Sequence, residues 1–475
     1  MTNSRVLKLT SPTTSCEWLP EPLLKFGGDN LHEDPRVGIP LYGPHTLHTT
    51  RHKPQMTIGV IGTGETTEKA IQFLRSCCSG VPGVDNEDPF PGNDKEHGFR
   101  FELVTDSTMD EKLTLHEVSD ISSIRSRRPR FEACLDLLEN KARLVAERDS
   151  PPDCIIIALP KELEKRCRSV DYVERDRRMV HRDLRDALKA KVMRLAPTTQ
   201  LLRERTTNPG PASGETEQPA RRAWNLFTAL YFKGGGLPWA PEGLPSDSCY
   251  VGVSFFRPRG DMSSLRASVV QAFDENGEGL ILRGHKFDWD EKEKGRSPHL
   301  TEAMARGLVT MVLRRYQTER KRLPNRVVVH KSSRFEQEER NGFLSALKGV
   351  AQVDLVAVRP TSEVRLVRRA EYPPLRGTAF SVGALSYLYT SGYLLSLARF
   401  PHGHVPSPLL VADHIGDTPR SGVLKELMIL SKVNWNSANY SGLMPITLRF
   451  SRLVGDVLKE VPDNQIPNPR YAYYM

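Results

Sequence analysis

The chain has 475 residues, 38% of them hydrophobic, with a formal net charge of +9 and a pI near 9.1. That length and a mean hydropathy of −0.44 describe a globular protein with room for roughly two to four domains. No apolar run is long enough to cross a bilayer, and the basic balance favours an anionic partner, nucleic acid first.

The opening stretch MTNSRVLKLTSPTTSCEWLP has no apolar core of the kind a secretory signal needs, so a cytoplasmic location is expected. The seven cysteines are scattered, odd in number and without a CxxC pair. This fits a reducing compartment and argues against both a disulfide scaffold and a zinc site.

In chain order, residues 1–55 are rich in Pro, Gly and His and read as mostly irregular, packing on the rest of the protein. TIGVIG, from Thr57, reads as a strand, TGE as a turn and TTEKAIQFLRSC as a helix. Gly59, Gly62 and Gly64 do not have the GxGxxG spacing of a dinucleotide site, and a tight strand-to-helix turn needs the same glycines. FRFELVT reads as a strand, RFEACLDLLENKARLVAER as an amphipathic helix and DCIIIALP as a buried parallel strand. This alternation predicts a Rossmann-like α/β unit over 56–245, with 206–222 as a polar excursion. Over 246–475, the strand YVGVSFF, a hairpin across DENGEG, the helix at 299–322 and the run RVVVHK, helix, AQVDLVAVRP predict a mixed sheet of the RNase H type. Two helices, SGVLKELMILSKVNWNS and FSRLVGDVLKEV, and the tail NPRYAYYM close it.

One stretch concentrates positive charge. If HRDLRDALKAKVM is helical throughout, His181, Arg185 and Lys189 fall at i, i+4 and i+8 on one face. Lys233 follows from AWNLFTALYFKGGGLPW, where three glycines would let backbone approach a ligand, and Gln200 of PTTQ adds a neutral donor. A solvated helix face has the same pattern; a site for a terminal phosphate is the sharper reading.

LYFKGGGLPW, the basic helix before PTTQ, YVGVSFF, RVVVHKSSRF, PLLVADHIGD and LKELMILSKVNWNSANYSGLMPITLRF together resemble the MID and PIWI domains of short prokaryotic Argonautes. Lys432, Asn434, Trp435, Asn436 and Pro445 carry the most specific part of the resemblance. It implies a Rossmann-like MID domain followed by an RNase H-like PIWI domain, with His181, Arg185, Lys189, Gln200 and Lys233 around the 5′ phosphate of a guide RNA. Two registers fit the family pattern, His181 with Arg185 or Arg185 with Lys189, and the second is closer. The carboxylate of Met475 would reach the phosphate through Mg²⁺, with the tail packed on MID.

The resemblance also implies that slicing is absent. Ser254 and Ser332 stand where the family's slicers carry metal-binding aspartates, and serine does not hold Mg²⁺ as a carboxylate does. The alternatives are an active nuclease with displaced carboxylates, drawn from Asp288, Asp290, Glu336 and Asp413, and a stand-alone nucleic-acid-binding module. His330, Lys331, Lys432 and Asn436 are candidate contacts to the nucleic-acid backbone. The implied role is recognition of invading plasmid or phage single-stranded DNA, relayed to an APAZ-containing partner whose effector is sirtuin-like in preference to TIR or nuclease.

Overall fold

The computed structural model describes residues 14–475 apart from 85–86, 175–178, 208–216, 258–263, 274–277, 290–294, 296 and 401–404. Asp290 and the hairpin turn after Phe273 therefore lie outside the described residues.

A five-stranded parallel sheet organises the first half. Thr198–Arg203, Cys154–Leu159, Gln55–Gly62 and Glu102–Thr105 lie side by side, and Glu111–Lys112 also pairs with Gln55–Gly62. Cys154–Leu159 is buried along its whole length, as an inner parallel strand must be when helices cover both faces. One face packs on the helix Pro219–Lys233 through Trp224, Phe227 and Leu230. The other packs on Arg127–Ala146 through Phe131, Leu135 and Leu138.

A nine-stranded mixed sheet organises the second half. Ser248–Phe256, Arg326–Lys331 and Gln352–Pro360 run parallel at its centre. The hairpin Ser264–Phe273 with Glu278–Asp288 extends one side; Leu409–Gly416, Leu385–Leu388 and Thr378–Val382 extend the other. The helix Ile446–Leu458 crosses one face so closely that a Cβ on Gly252 would lie 2.0 Å from the Thr447 carbonyl oxygen. The predicted pair, a Rossmann-like α/β unit before an RNase H-like one, is the observed architecture.

The N-terminal segment departs from its irregular reading in several places, Leu24–Lys25 and Leu31–His32 pairing with each other among them. Thr14–Trp18 forms the outermost strand of the nine-stranded sheet, antiparallel to Thr378–Val382. Pro35–Tyr42 is a helix, because Asp34 caps it by accepting from the Arg36 N–H at 2.8 Å and Pro35 presets the first turn. The two halves interlock through tryptophans: Trp435 Nε1 donates to the Trp239 carbonyl at 3.0 Å, and its ring stacks on Phe232.

Candidate functional site: a buried lysine pair beside the C-terminus

The basic stretch is shorter as a helix than its spacing suggests. The helix spans Leu184–Val192, because Asp183 is extended and accepts from the Arg185 N–H at 2.8 Å, capping it there. His181 sits instead on the strand Met179–Asp183, opposite Asp171, which its Nδ1 meets at 2.7 Å. The three-residue helical stripe therefore loses His181, which is exposed. Arg185 and Lys189 remain one turn apart on the helix.

Lys189 and Lys233 converge on one backbone oxygen. Lys189 Nζ donates to the Thr199 carbonyl and, at 3.0 Å, to its hydroxyl. Lys233 Nζ donates to the same carbonyl at 3.1 Å and to Gln200 Oε1. The parallel strand Thr198–Arg203 brings Thr199 and Gln200 to this point, between helices Leu184–Val192 and Pro219–Lys233. Arg185 donates to the Tyr474 carbonyl at 3.0 Å and to Asp186 at 2.9 Å. Thr199 is the one member of the cluster that the sequence reading passed over, although PTTQ contains it.

Both ammonium groups are almost wholly buried, at 4% and 3% exposure. Burial depresses the Lys189 pKa well below the usual lysine range, and the charges of Lys233 and Arg185 add to the effect. Burial likewise pushes Lys233 down to about 8, with Arg185 lowering it further. Among the described residues, no carboxylate pairs with either lysine.

The contrast with the two other buried lysines is informative. Lys331 reaches both oxygens of Glu339 at 2.6 Å. Lys432 reaches Glu21 at 2.6 Å and the Glu33 carbonyl at 2.6 Å, with its ammonium over the Tyr440 ring. A buried cation is costly unless a carboxylate compensates it. Lys331 and Lys432 are compensated; Lys189 and Lys233 are not.

The C-terminal tail lies against this cluster. Tyr471–Tyr473 packs on the helix Pro219–Lys233 and the strand Thr198–Arg203. Tyr473 Oη donates to the Ala196 carbonyl at 2.7 Å, and Met475 is buried. Two ammonium groups face the site, Gln200 Oε1 already accepts from Lys233, and among the described residues no group of three His, Cys, Asp or Glu side chains could hold a metal.

The triple glycine serves the chain and not a ligand. Gly235 has φ +103°, its carbonyl accepts from Arg51 at 2.8 Å, and a Cβ on Gly236 would strike the Tyr231 ring.

The candidate backbone contacts in the second half separate on burial. His330, Lys331 and Lys432 are interior side chains, at 1% exposure each. His330 meets Thr447 Oγ1 at 2.8 Å, and burial pushes its pKa down to about 3. Asn436 alone of the four is exposed; its N–H donates to Asn434 Oδ1 at 3.2 Å. Asn434 also donates to Ser437 Oγ at 2.7 Å, a local turn role.

Ser254 lies on the strand Ser248–Phe256 and Ser332 just past the end of the neighbouring strand Arg326–Lys331, each one step beyond the paired residues Val253 and Lys331. Ser254 Oγ donates to the Ser451 carbonyl at 2.9 Å, and Ser332 is exposed. Asp413 lies on Leu409–Gly416, where Arg340 Nη2 donates to it at 3.0 Å. Asp288 pairs with Ser264 at the far end of the hairpin, and Glu336 caps the helix Gln337–Ala346. Among the described residues no three His, Cys, Asp or Glu side chains are grouped so as to hold a metal ion.

No protein-family model and no curated protein sequence matches the chain. Solved structures do. A Clostridium butyricum Argonaute bound to a guide DNA and a 19-mer target DNA superposes with a TM-score of 0.65 at 14% identity, covering 96% of this chain and 54% of its own. Drosophila Piwi gives 0.60 at 14% identity, covering 96% and 56%. A. aeolicus Argonaute gives 0.57 at 13% identity, covering 95% and 54%. The fold is that of the MID and PIWI portion of Argonautes, and the chain spans a little over half the length of these proteins.

Proposed function

We propose that the protein is a guide-directed nucleic-acid-binding protein whose lysine pair holds the 5′ phosphate of a guide RNA. One observation carries this reading: Lys189 and Lys233 are buried on one carbonyl without a carboxylate, beside Arg185 and the C-terminal tail. A terminal phosphate brings two negative charges and several acceptor oxygens, which compensate both ammonium groups at once. The fold likeness to an Argonaute bound to guide and target DNA supports the same assignment. Mg²⁺ bridging the phosphate to the carboxylate of the buried Met475 is part of the same reading, since Mg²⁺ is held by one or two carboxylates together with phosphate oxygens and waters.

The protein recognises a single-stranded DNA target by base pairing with the guide and does not cleave it. Serine at 254 and 332, each one step beyond the paired residues Val253 and Lys331, and Asp413 engaged by Arg340, support this. Its output in defence against plasmid or phage DNA passes to an APAZ-containing partner, with a sirtuin-like NAD-consuming effector favoured over TIR or nuclease.

Sequencing and end-labelling the nucleic acid that co-purifies with the chain tests the central claim. Short RNAs with 5′ phosphates are expected; fragments of random length and end chemistry would refute it. In vitro, the double variant Lys189→Ala/Lys233→Ala should weaken a 5′-phosphorylated guide far more than a 5′-hydroxyl one, because each charged contact contributes roughly 1.5–3 kcal/mol. Equal loss for both guides would make the cluster a structural feature.

A further inference from the structure

A second basic surface begins where the pocket helix begins. Leu184, its first residue, donates its N–H to the Arg168 carbonyl at 2.9 Å. Arg168 follows the helix Lys161–Cys167, whose last turn carries Lys165 and Arg166. Arg166 reaches the Ser122 carbonyl at 3.1 Å, and Arg130 reaches the Arg166 carbonyl at 3.3 Å. These bonds set the end of that helix against the start of Arg127–Ala146, which opens Arg127, Arg128, Pro129, Arg130 and is preceded by Arg125.

Arg125, Arg127, Arg128, Lys165, Arg166 and Arg168 are all exposed on this surface. Among the described residues none of the six forms an ion pair with a carboxylate; Arg128 lies 4.2 Å over the Tyr172 ring. Nearby carboxylates are engaged elsewhere: Glu132 with Arg182, Glu164 with Arg203 at 3.5 Å, and Asp171 with His181. Glu162 is the acidic side chain left on the same short helix. The first turn of Arg127–Ala146 has no acidic residue, and Ser126 makes no side-chain cap. Arginines at the positive end of a helix oppose its dipole, so folding does not explain why they gather there.

Distance to the lysine pair gives the surface its ligand. Lys189 lies five residues into the pocket helix from Leu184, on the order of 8 Å along the axis. That is a few nucleotides of a stacked strand, at roughly 3.4 Å per step. A guide held by its 5′ phosphate ends at the lysine pair and does not continue beyond it. The target strand does continue, as its 3′ flank past the guide's first nucleotide. We propose that this arginine surface binds the phosphodiester backbone of that target flank. The inference rests on the guide-pocket reading above.

The test uses the full chain loaded with a 5′-phosphorylated RNA guide. Two DNA targets share the same complement; one ends flush opposite guide nucleotide one, the other adds about ten unpaired nucleotides at its 3′ end. The flank should tighten binding about tenfold at low salt and steepen the slope of log K against log salt by roughly 0.7 for each phosphate engaged. R127E/R128E and R166E/R168E should each remove the flank increment and leave flush-target affinity unchanged, whereas R127K/R128K should keep it. Equal affinity for both targets, or a flank effect that survives both charge reversals, would overturn the proposal. So would loss of binding to phosphatidylglycerol–phosphatidylcholine vesicles in those variants without any flank effect. Guide loading with 5′-phosphate against 5′-hydroxyl RNA is read in parallel, so failure of the pocket is separable from failure of the surface.

Discussion

Raising the pH should erase the preference for a phosphorylated guide. Lys233 titrates at about 8, and Lys189 is depressed further, in both cases chiefly by burial. A terminal phosphate is already mostly dianionic at pH 7, since its second pKa is about 6. Above pH 8 the free protein must therefore take up a proton to bind it. The fraction of Lys233 already charged falls from about nine-tenths at pH 7 to about one-tenth at pH 9, so affinity for the phosphate should drop about tenfold, near 1.4 kcal/mol. The free protein should change in the opposite sense. A lysine depressed on folding lowers stability while it is charged, and that cost fades between its folded value of about 8 and lysine's ordinary value of 10.5. Fluorescence anisotropy of labelled 5′-phosphate and 5′-hydroxyl guides from pH 6.5 to 9.5 reads the first effect, and denaturant midpoints without guide read the second. A surface lysine near 10.4 would barely titrate over this range. A phosphate preference that stays flat from pH 7 to 9 would refute the buried-lysine argument.

Other outcomes follow from the same contrast between compensated and uncompensated charge. Glu339→Ala strands Lys331 in the interior and should cost about 3–5 kcal/mol by chemical denaturation, whereas Glu339→Leu with Lys331→Met should cost much less. If the single and double variants unfold alike, the pair is not what holds Lys331. Gly252→Ala forces a Cβ toward the Thr447 carbonyl and should lower stability by about 1–3 kcal/mol, read as a fall in melting temperature. A guide-loaded sample with matched target should leave the target intact in Mg²⁺ or Mn²⁺; cleavage that disappears in Asp413→Ala would establish the nuclease reading instead.

The fold was largely legible because its inner strands announce themselves. CIIIAL and RVVVHK are continuous apolar runs of parallel strands, and the amphipathic helices between them have regular spacing. The strand Thr14–Trp18 was not legible: TSCEW is exposed at every position, so no burial pattern marks it, and its pairing partner is more than 350 residues away. His181 was misplaced because periodicity counts positions and does not see a cap; Asp183 starts the helix two residues later. Lys189 and Lys233 stood out as cations, yet burial separates their role from that of Lys331 and Lys432, and burial is a tertiary property. The acids that neutralise Lys432 and Lys331 differ in this respect. Glu339 lies eight residues from its lysine, whereas Glu21 comes from the far end of the chain.

The C-terminal tail ties the candidate pocket in the first half to the sheet of the second. Arg185 grips the Tyr474 carbonyl, and Tyr473 is tied to Ala196, so the tail is fixed to the Rossmann-like unit. Just upstream, Arg470 bridges to Leu280, and the Ile281 N–H donates to the Pro469 carbonyl at 2.7 Å, so the same tail is fixed to the long hairpin of the nine-stranded sheet. A dianion arriving between Lys189 and Lys233 offers Arg185 a stronger acceptor than a neutral carbonyl. Any shift of Arg185 toward it would weaken the Tyr474 contact, and the tail, through its backbone bonds to Leu280 and Ile281, links that point to the hairpin. On the proposed reading the pocket and the sheet are thus joined by one segment whose anchoring bond competes with the ligand, the kind of differential contact a ligand-driven change requires.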